Sequence, residues 1–129
     1  MRLADHRWEK ACTGSDEFCA NLGIGYAQGT FGAADQTKAV DLLARACHAG
    51  SGLGCFDLAV LATQGAKLPA GEPGMLDLLR QACDNDYAAG CQQLALRYSK
   101  GVGIDKGDAK AHDYGQRGCK LGLQEACTQ

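Results

Sequence analysis

Four pairs of cysteines punctuate the chain, Cys12/Cys19, Cys47/Cys55, Cys83/Cys91 and Cys119/Cys127, and the last three recur every 36 residues with seven residues inside each pair. A fixed period of this length marks an array of supersecondary units, none of which can bury its apolar face without its neighbours. The register extends well beyond the cysteines. Aligned on the second cysteine, the segments read Cys19-Ala-Asn-Leu-Gly-Ile-Gly-Tyr-Ala-Gln-Gly29, Cys55-Phe-Asp-Leu-Ala-Val-Leu-Ala-Thr-Gln-Gly65 and Cys91-Gln-Gln-Leu-Ala-Leu-Arg-Tyr-Ser-Lys-Gly101. Aligned on the first, they read Ala39-Val-Asp-Leu-Leu-Ala-Arg-Ala-Cys47, Met75-Leu-Asp-Leu-Leu-Arg-Gln-Ala-Cys83 and Ala111-His-Asp-Tyr-Gly-Gln-Arg-Gly-Cys119, with a weaker copy ending at Cys12.

Both halves of the unit have helical spacing: Cys55, Leu58, Ala59 and Ala62 lie three and four apart, as do Ala39, Leu42, Leu43 and Cys47. Each unit is therefore a helix pair. Gly29, Gly65 and Gly101 stand where a helix should stop, because glycine accepts the left-handed conformation just past the last turn. Pro69 and Pro73 fall in a connecting loop, or Pro73 opens the next helix. No segment alternates with the two-residue period of a half-buried strand, so no sheet is expected. The pattern predicts helices near 2–12, 16–28, 37–48, 53–64, 74–84, 88–100 and 108–120, with a short helical start at 124–127. Gly23, Ala59 and Ala95 suit close helix approach, and Leu22, Leu58 and Leu94 fill the seam. Trp8 is expected to cover an open end of the core, the alternative being a recognition anchor.

The 129 residues make one domain, 1–129, with ordinary composition: 46% hydrophobic, 22% charged, formal net charge −2. Basic residues are interleaved with acids, which argues against a nucleic-acid surface. No apolar run is long enough to cross a bilayer, and the polar start Met-Arg-Leu-Ala-Asp-His-Arg-Trp is not a signal peptide.

An even set of cysteines paired by position reads as a disulfide framework, which persists in oxidising compartments; a secreted or periplasmic location is expected. Each pair would join the last turn of one helix to the first turn of the next across a tight turn, within the roughly 7 Å between Cα atoms that a bridge requires. Each closed loop would stabilise its unit by about 2–3 kcal/mol on the chain-entropy account. Two other readings remain. Structural zinc favours ligand pairs two to four residues apart, and no such cysteine pair exists; His48 and His112 do not recur at equivalent positions. Free buried thiols acting as small hydrophobes in a cytosolic protein are the other alternative.

The sequence Ala-Cys, a short glycine-containing turn, then Cys-x-x-Leu-(Gly/Ala)-x-x-Tyr-x-x-Gly resembles the Sel1-like repeat, a relative of the tetratricopeptide repeat, and the paired cysteines resemble its cysteine-rich secreted Hcp-type branch. The resemblance runs from about Leu3 to Cys127. It departs in the first pair, whose turn at Thr13-Gly-Ser-Asp is one residue shorter, and at Ala62, where Tyr26 and Tyr98 carry the aromatic; the middle unit is expected to pack less tightly. The resemblance implies an all-α, right-handed α-solenoid of about three helix pairs with one disulfide each. It implies an exported, non-catalytic adaptor or scaffold that binds a protein or peptide on its concave face, without cofactor or membrane insertion. A monomer is expected.

Positions that differ between units while packing positions stay constant are the candidate contacts: Asn21, Gly25 and Gln28; Asp57, Leu61 and Gln64; Gln93, Arg97 and Lys100. The plain alternative is that they are solvated helix positions. The resemblance also implies two alternative functions: a periplasmic immunity protein neutralising a secreted toxin, and a penicillin-binding or β-lactamase-like hydrolase. A serine β-lactamase needs Ser-x-x-Lys, and Ser15, Ser51 and Ser99 lack lysine at that spacing. His6, His48 and His112 lie in separate units, which leaves no convergent zinc site. No catalytic residue and no metal site is expected.

Overall fold

The structure, a computed structural model, describes residues 17–29, 35–65, 67–68, 74–101 and 106–123. Six helices span them: α1 (Glu17–Gln28), α2 (Gln36–His48), α3 (Gly52–Thr63), α4 (Met75–Asp84), α5 (Ala88–Lys100) and α6 (Asp108–Lys120). No strand occurs among the described residues. Each helix begins and ends within one residue of the span its periodicity predicts. The helix expected at 2–12 with Trp8, the start at 124–127, and Cys12 and Cys127 lie outside the described residues.

The turns explain why the register is so regular. After α2 the Gly50 N–H donates to Cys47 O (3.0 Å) and the Ser51 N–H to Ala46 O (2.9 Å). The same pair recurs as Asp86 to Cys83 and Tyr87 to Ala82, and as Gly122 to Cys119 and Leu123 to Gly118. This is a Schellman stop, which satisfies carbonyls left open at the helix end and needs a left-handed residue at its centre. Gly50 and Gly122 supply it with φ of 100° and 103°, and Asp86 adopts φ 65° at the equivalent place in the middle unit. Ser51 then begins α3, its hydroxyl accepting from the Gly54 N–H at 3.0 Å, and Asp35 begins α2 by accepting from the Lys38 N–H.

These tight turns bring paired cysteines together. Cys47–Cys55 and Cys83–Cys91 are disulfides with Cα atoms 4.5 and 4.6 Å apart, tying α2 to α3 and α4 to α5. Cys19 and Cys119 are also disulfide-bonded, and no described cysteine is free.

The apolar stripes meet as their spacing requires. Leu22, Leu58 and Leu94 are 5%, 0% and 0% exposed, and Leu42, Leu43, Leu78 and Leu79 face them from α2 and α4. Gly23 lies so close to α2 that a Cβ there would sit 2.9 Å from Leu43 Cγ. Consecutive helices pack on one another, and α1 also packs on α3 and α3 on α5. The odd-numbered helices thus form one continuous layer. Its outer units share a clamp: Lys38 lies over the Tyr26 ring at 5.2 Å and Lys110 over Tyr98 at 5.5 Å. The middle unit has Ala62 and Gly74 at those places and therefore lacks the clamp.

Candidate functional site

Two hollows lie between helices at the same register of successive units. The first, about 160 Å³, is lined by Ile24, Ala27, Gln28 of α1, Gln36 and Leu43 of α2, and Asp57, Val60, Leu61 and Gln64 of α3. The second, about 200 Å³, is lined by Phe56, Ala59, Val60 and Thr63 of α3, Met75 and Leu79 of α4, and Gln93 and Arg97 of α5. Adding 36 to Ile24, Ala27, Leu43, Asp57 and Leu61 gives Val60, Thr63, Leu79, Gln93 and Arg97, so the two share five equivalent positions. Three of these are wall positions of similar bulk. The other two change chemistry completely: Asp57 becomes Gln93, and Leu61 becomes Arg97.

Six of the nine candidate contacts fall in these hollows: Gln28, Asp57, Leu61 and Gln64 in the first, Gln93 and Arg97 in the second. Leu61 is 6% exposed and forms part of the floor. Asn21 and Lys100 are exposed on α1 and α5, and Gly25 is buried within α1. The sequence reading missed the apolar walls, Ile24, Ala27, Leu43 and Val60, because apolar residues at helical spacing read as core.

Two polar atoms stand out. Oδ2 of Asp57 and Nε of Arg97 are buried without a hydrogen-bond partner among the described residues. Native proteins pair such atoms in most cases, and an unpaired one costs stability. For Asp57 the cost appears as a pKa raised from 3.8 to about 6, because burial disfavours the charged carboxylate. The first hollow has no other titratable group in its wall; its remaining polar side chains, Gln28, Gln36 and Gln64, are neutral amides.

The folded protein therefore binds this proton more tightly than the unfolded chain does. Its stability falls as pH rises from about 4 to about 6, and the full penalty is present above that range. Two pKa units correspond to about 3 kcal/mol, and partial exposure of Asp57 brings the expected penalty to about 1–2 kcal/mol. Asp57→Asn should raise the unfolding free energy by that amount at pH 7.5 and flatten the slope between pH 4 and 6. Urea unfolding at pH 4 and 7.5 measures both; equal stability of the two proteins at pH 7.5 would refute the account.

Among the described residues no group of three or more His, Cys, Asp or Glu side chains could hold a metal ion, and no helix is long and apolar enough to cross a membrane.

The architecture defines the class: a disulfide-stapled helix-pair α-solenoid with the fold of Sel1-like repeat proteins. Among solved structures, a Sel1 repeat protein from Oxalobacter formigenes superposes with a TM-score of 0.80 at 18% identity, over 96% of this chain and 50% of that one. Cysteine rich protein B of Helicobacter pylori superposes with a TM-score of 0.74 at 25% identity, over 97% of this chain and 90% of that one. The protein c5321, a protective antigen present in uropathogenic Escherichia coli strains, has a TM-score of 0.74 at 25% identity, over 92% of this chain and 26% of its own. The chain thus spans half the length of the Oxalobacter protein and about a quarter of the Escherichia one. No protein-family model and no curated protein matches the sequence.

Proposed function

We propose that the protein is a non-catalytic interaction module of an exported repeat protein, a monomeric adaptor that receives a protein or peptide on the concave face formed by α1, α3 and α5. The observation that carries this reading is the pair of register-equivalent hollows whose walls are alike while their charged side chains differ. A scaffold needs such a division, because constant packing positions preserve the array and variable ones set the partner. Packing of α1 on α3 and of α3 on α5 supports that layer as the inner, compressed side of the curve. The two disulfides and the likeness to a cysteine-rich Helicobacter protein support a secreted or periplasmic site of action.

Asp57→Arg combined with Arg97→Asp reverses both hollow charges and leaves net charge unchanged. Cross-linked capture from the native envelope fraction, followed by purified binding of the captured partner, should show at least tenfold weaker affinity for this variant. Reversal of the exposed Asp41–Arg45 pair on α2, whose side chains approach to 3.0 Å, should have no effect. Equal affinity of the hollow variant and the parent protein would place the binding surface elsewhere.

A further inference from the structure

We propose that the hollow between α1 and α3 is a receptor for a lysine side chain of the partner, with the Asp57 carboxylate as its counter-ion. This rests on the interaction-module reading and names what one part of that surface recognises.

The size of the hollow comes first. At about 160 Å³ it is smaller than the roughly 300–1,000 Å³ typical of pockets for whole small molecules. It has room for a single side chain. Its walls, Ile24, Ala27, Leu43, Val60 and Leu61, are aliphatic, and suit a flexible methylene stem. Its one charge is negative, and Oδ2 of that carboxylate accepts no hydrogen bond from any described residue. An aliphatic stem ending in a cation matches both features at once.

The remaining polar groups distinguish lysine from arginine. Gln28, Gln36 and Gln64 line the same hollow and each offers an amide carbonyl. An ammonium has three donors that can point in three directions, one to the carboxylate and two to amide oxygens. A guanidinium is a flat, rigid fork that fits a carboxylate with both oxygens presented side by side. Burial already opposes the charged form of Asp57, and a bound ammonium relieves that cost. The next hollow provides an internal control, since Gln93 replaces the carboxylate there and Arg97 reverses the local charge. Lysine should seat only in the first.

The test uses three capped tripeptides, acetyl-Ala-Lys-Ala-amide and its norleucine and arginine counterparts, together with uncapped Ala-Ala-Ala as a source of an α-ammonium. Binding is followed by NMR, with the Asp57 carboxyl carbon titrated against pH. Saturating lysine peptide is expected to lower the Asp57 midpoint from about 6 by at least one unit, which by linkage equals tenfold tighter binding to the ionised carboxylate. Asp57→Asn should weaken lysine-peptide binding at least tenfold, with chemical-shift changes in the parent confined to α1, α2 and α3. Equal binding of norleucine, preference for the arginine or uncapped peptide, or unchanged binding to Asp57→Asn would each overturn the assignment. If Asp57→Asn abolishes none of the affinity for the captured envelope partner while Asp57→Arg/Arg97→Asp does, the lysine assignment falls and the adaptor reading stands. If neither variant affects that partner, the adaptor surface itself is misplaced.

Discussion

Replacing Cys47 and Cys55 by alanine, or Cys83 and Cys91 likewise, is expected to lower the unfolding free energy by about 2–3 kcal/mol per bridge. Each bridge closes a loop of sequence separation 8, so the unfolded chain loses modest but definite freedom. Removing both should cost about 5 kcal/mol, against the 5–15 kcal/mol that holds an ordinary domain together. Alanine is the informative substitution. The four cysteines are between 0% and 3% exposed, and serine would confound the measurement by leaving a buried hydroxyl in place of an apolar sulfur. Urea unfolding followed by circular dichroism should show a lower midpoint and a steeper slope, since the unfolded state becomes less constrained. Parent protein in excess reductant should approach the alanine variants. An unchanged midpoint in the alanine variants would show that the bridges add no net stability.

Much of this fold was legible because the same information is written three times. Any one of the segments from Cys19 to Gly29, Cys55 to Gly65 or Cys91 to Gly101 is an ambiguous apolar stretch; their alignment separates packing positions from variable ones. Leu58 and Leu94 read as core because they recur, and Asp57 and Arg97 stand out because they do not. The hollows themselves were not legible. They arise where α1, α2 and α3, or α3, α4 and α5, cross, and crossing geometry depends on side chains distant in sequence. Leu61 shows the limit: variability marks it as a contact position, yet its side chain is almost fully buried as floor. Asp86 shows another. Aspartate enters the left-handed region more readily than most residues, but only alignment with Gly50 and Gly122 reveals that this turn demands it.

Glycine precedes Cys55 and Cys91, where Phe18 and Ala126 precede Cys19 and Cys127, and Gly54→Ala and Gly90→Ala should each destabilise the protein by about 1–3 kcal/mol. On general helix propensity the opposite sign is expected, since alanine in a helix interior is favoured over glycine by about 1 kcal/mol. Local crowding decides. A Cβ on Gly54 would lie 2.7 Å from Ala46 Cβ and 3.0 Å from the Cys47 backbone nitrogen, and one on Gly90 would lie 2.8 Å from Ala82 Cβ and 3.0 Å from the Cys83 nitrogen. The obstructing atoms are a methyl group and main chain, neither of which can swing aside as the end of a long side chain would. Relief requires α3 to move off α2, or α5 off α4, and the disulfides hold those helices with Cα atoms 4.5 and 4.6 Å apart. At these two turns glycine permits the close helix approach, and the bridge in turn keeps an added methyl from being accommodated. This coupling has a measurable consequence: Gly54→Ala should cost less in the Cys47→Ala/Cys55→Ala background than in the bridged protein, because the helices are then free to separate. Four urea unfolding curves give the coupling energy directly. A stabilising effect of Gly54→Ala in the bridged protein would show that the helices part more easily than this packing allows.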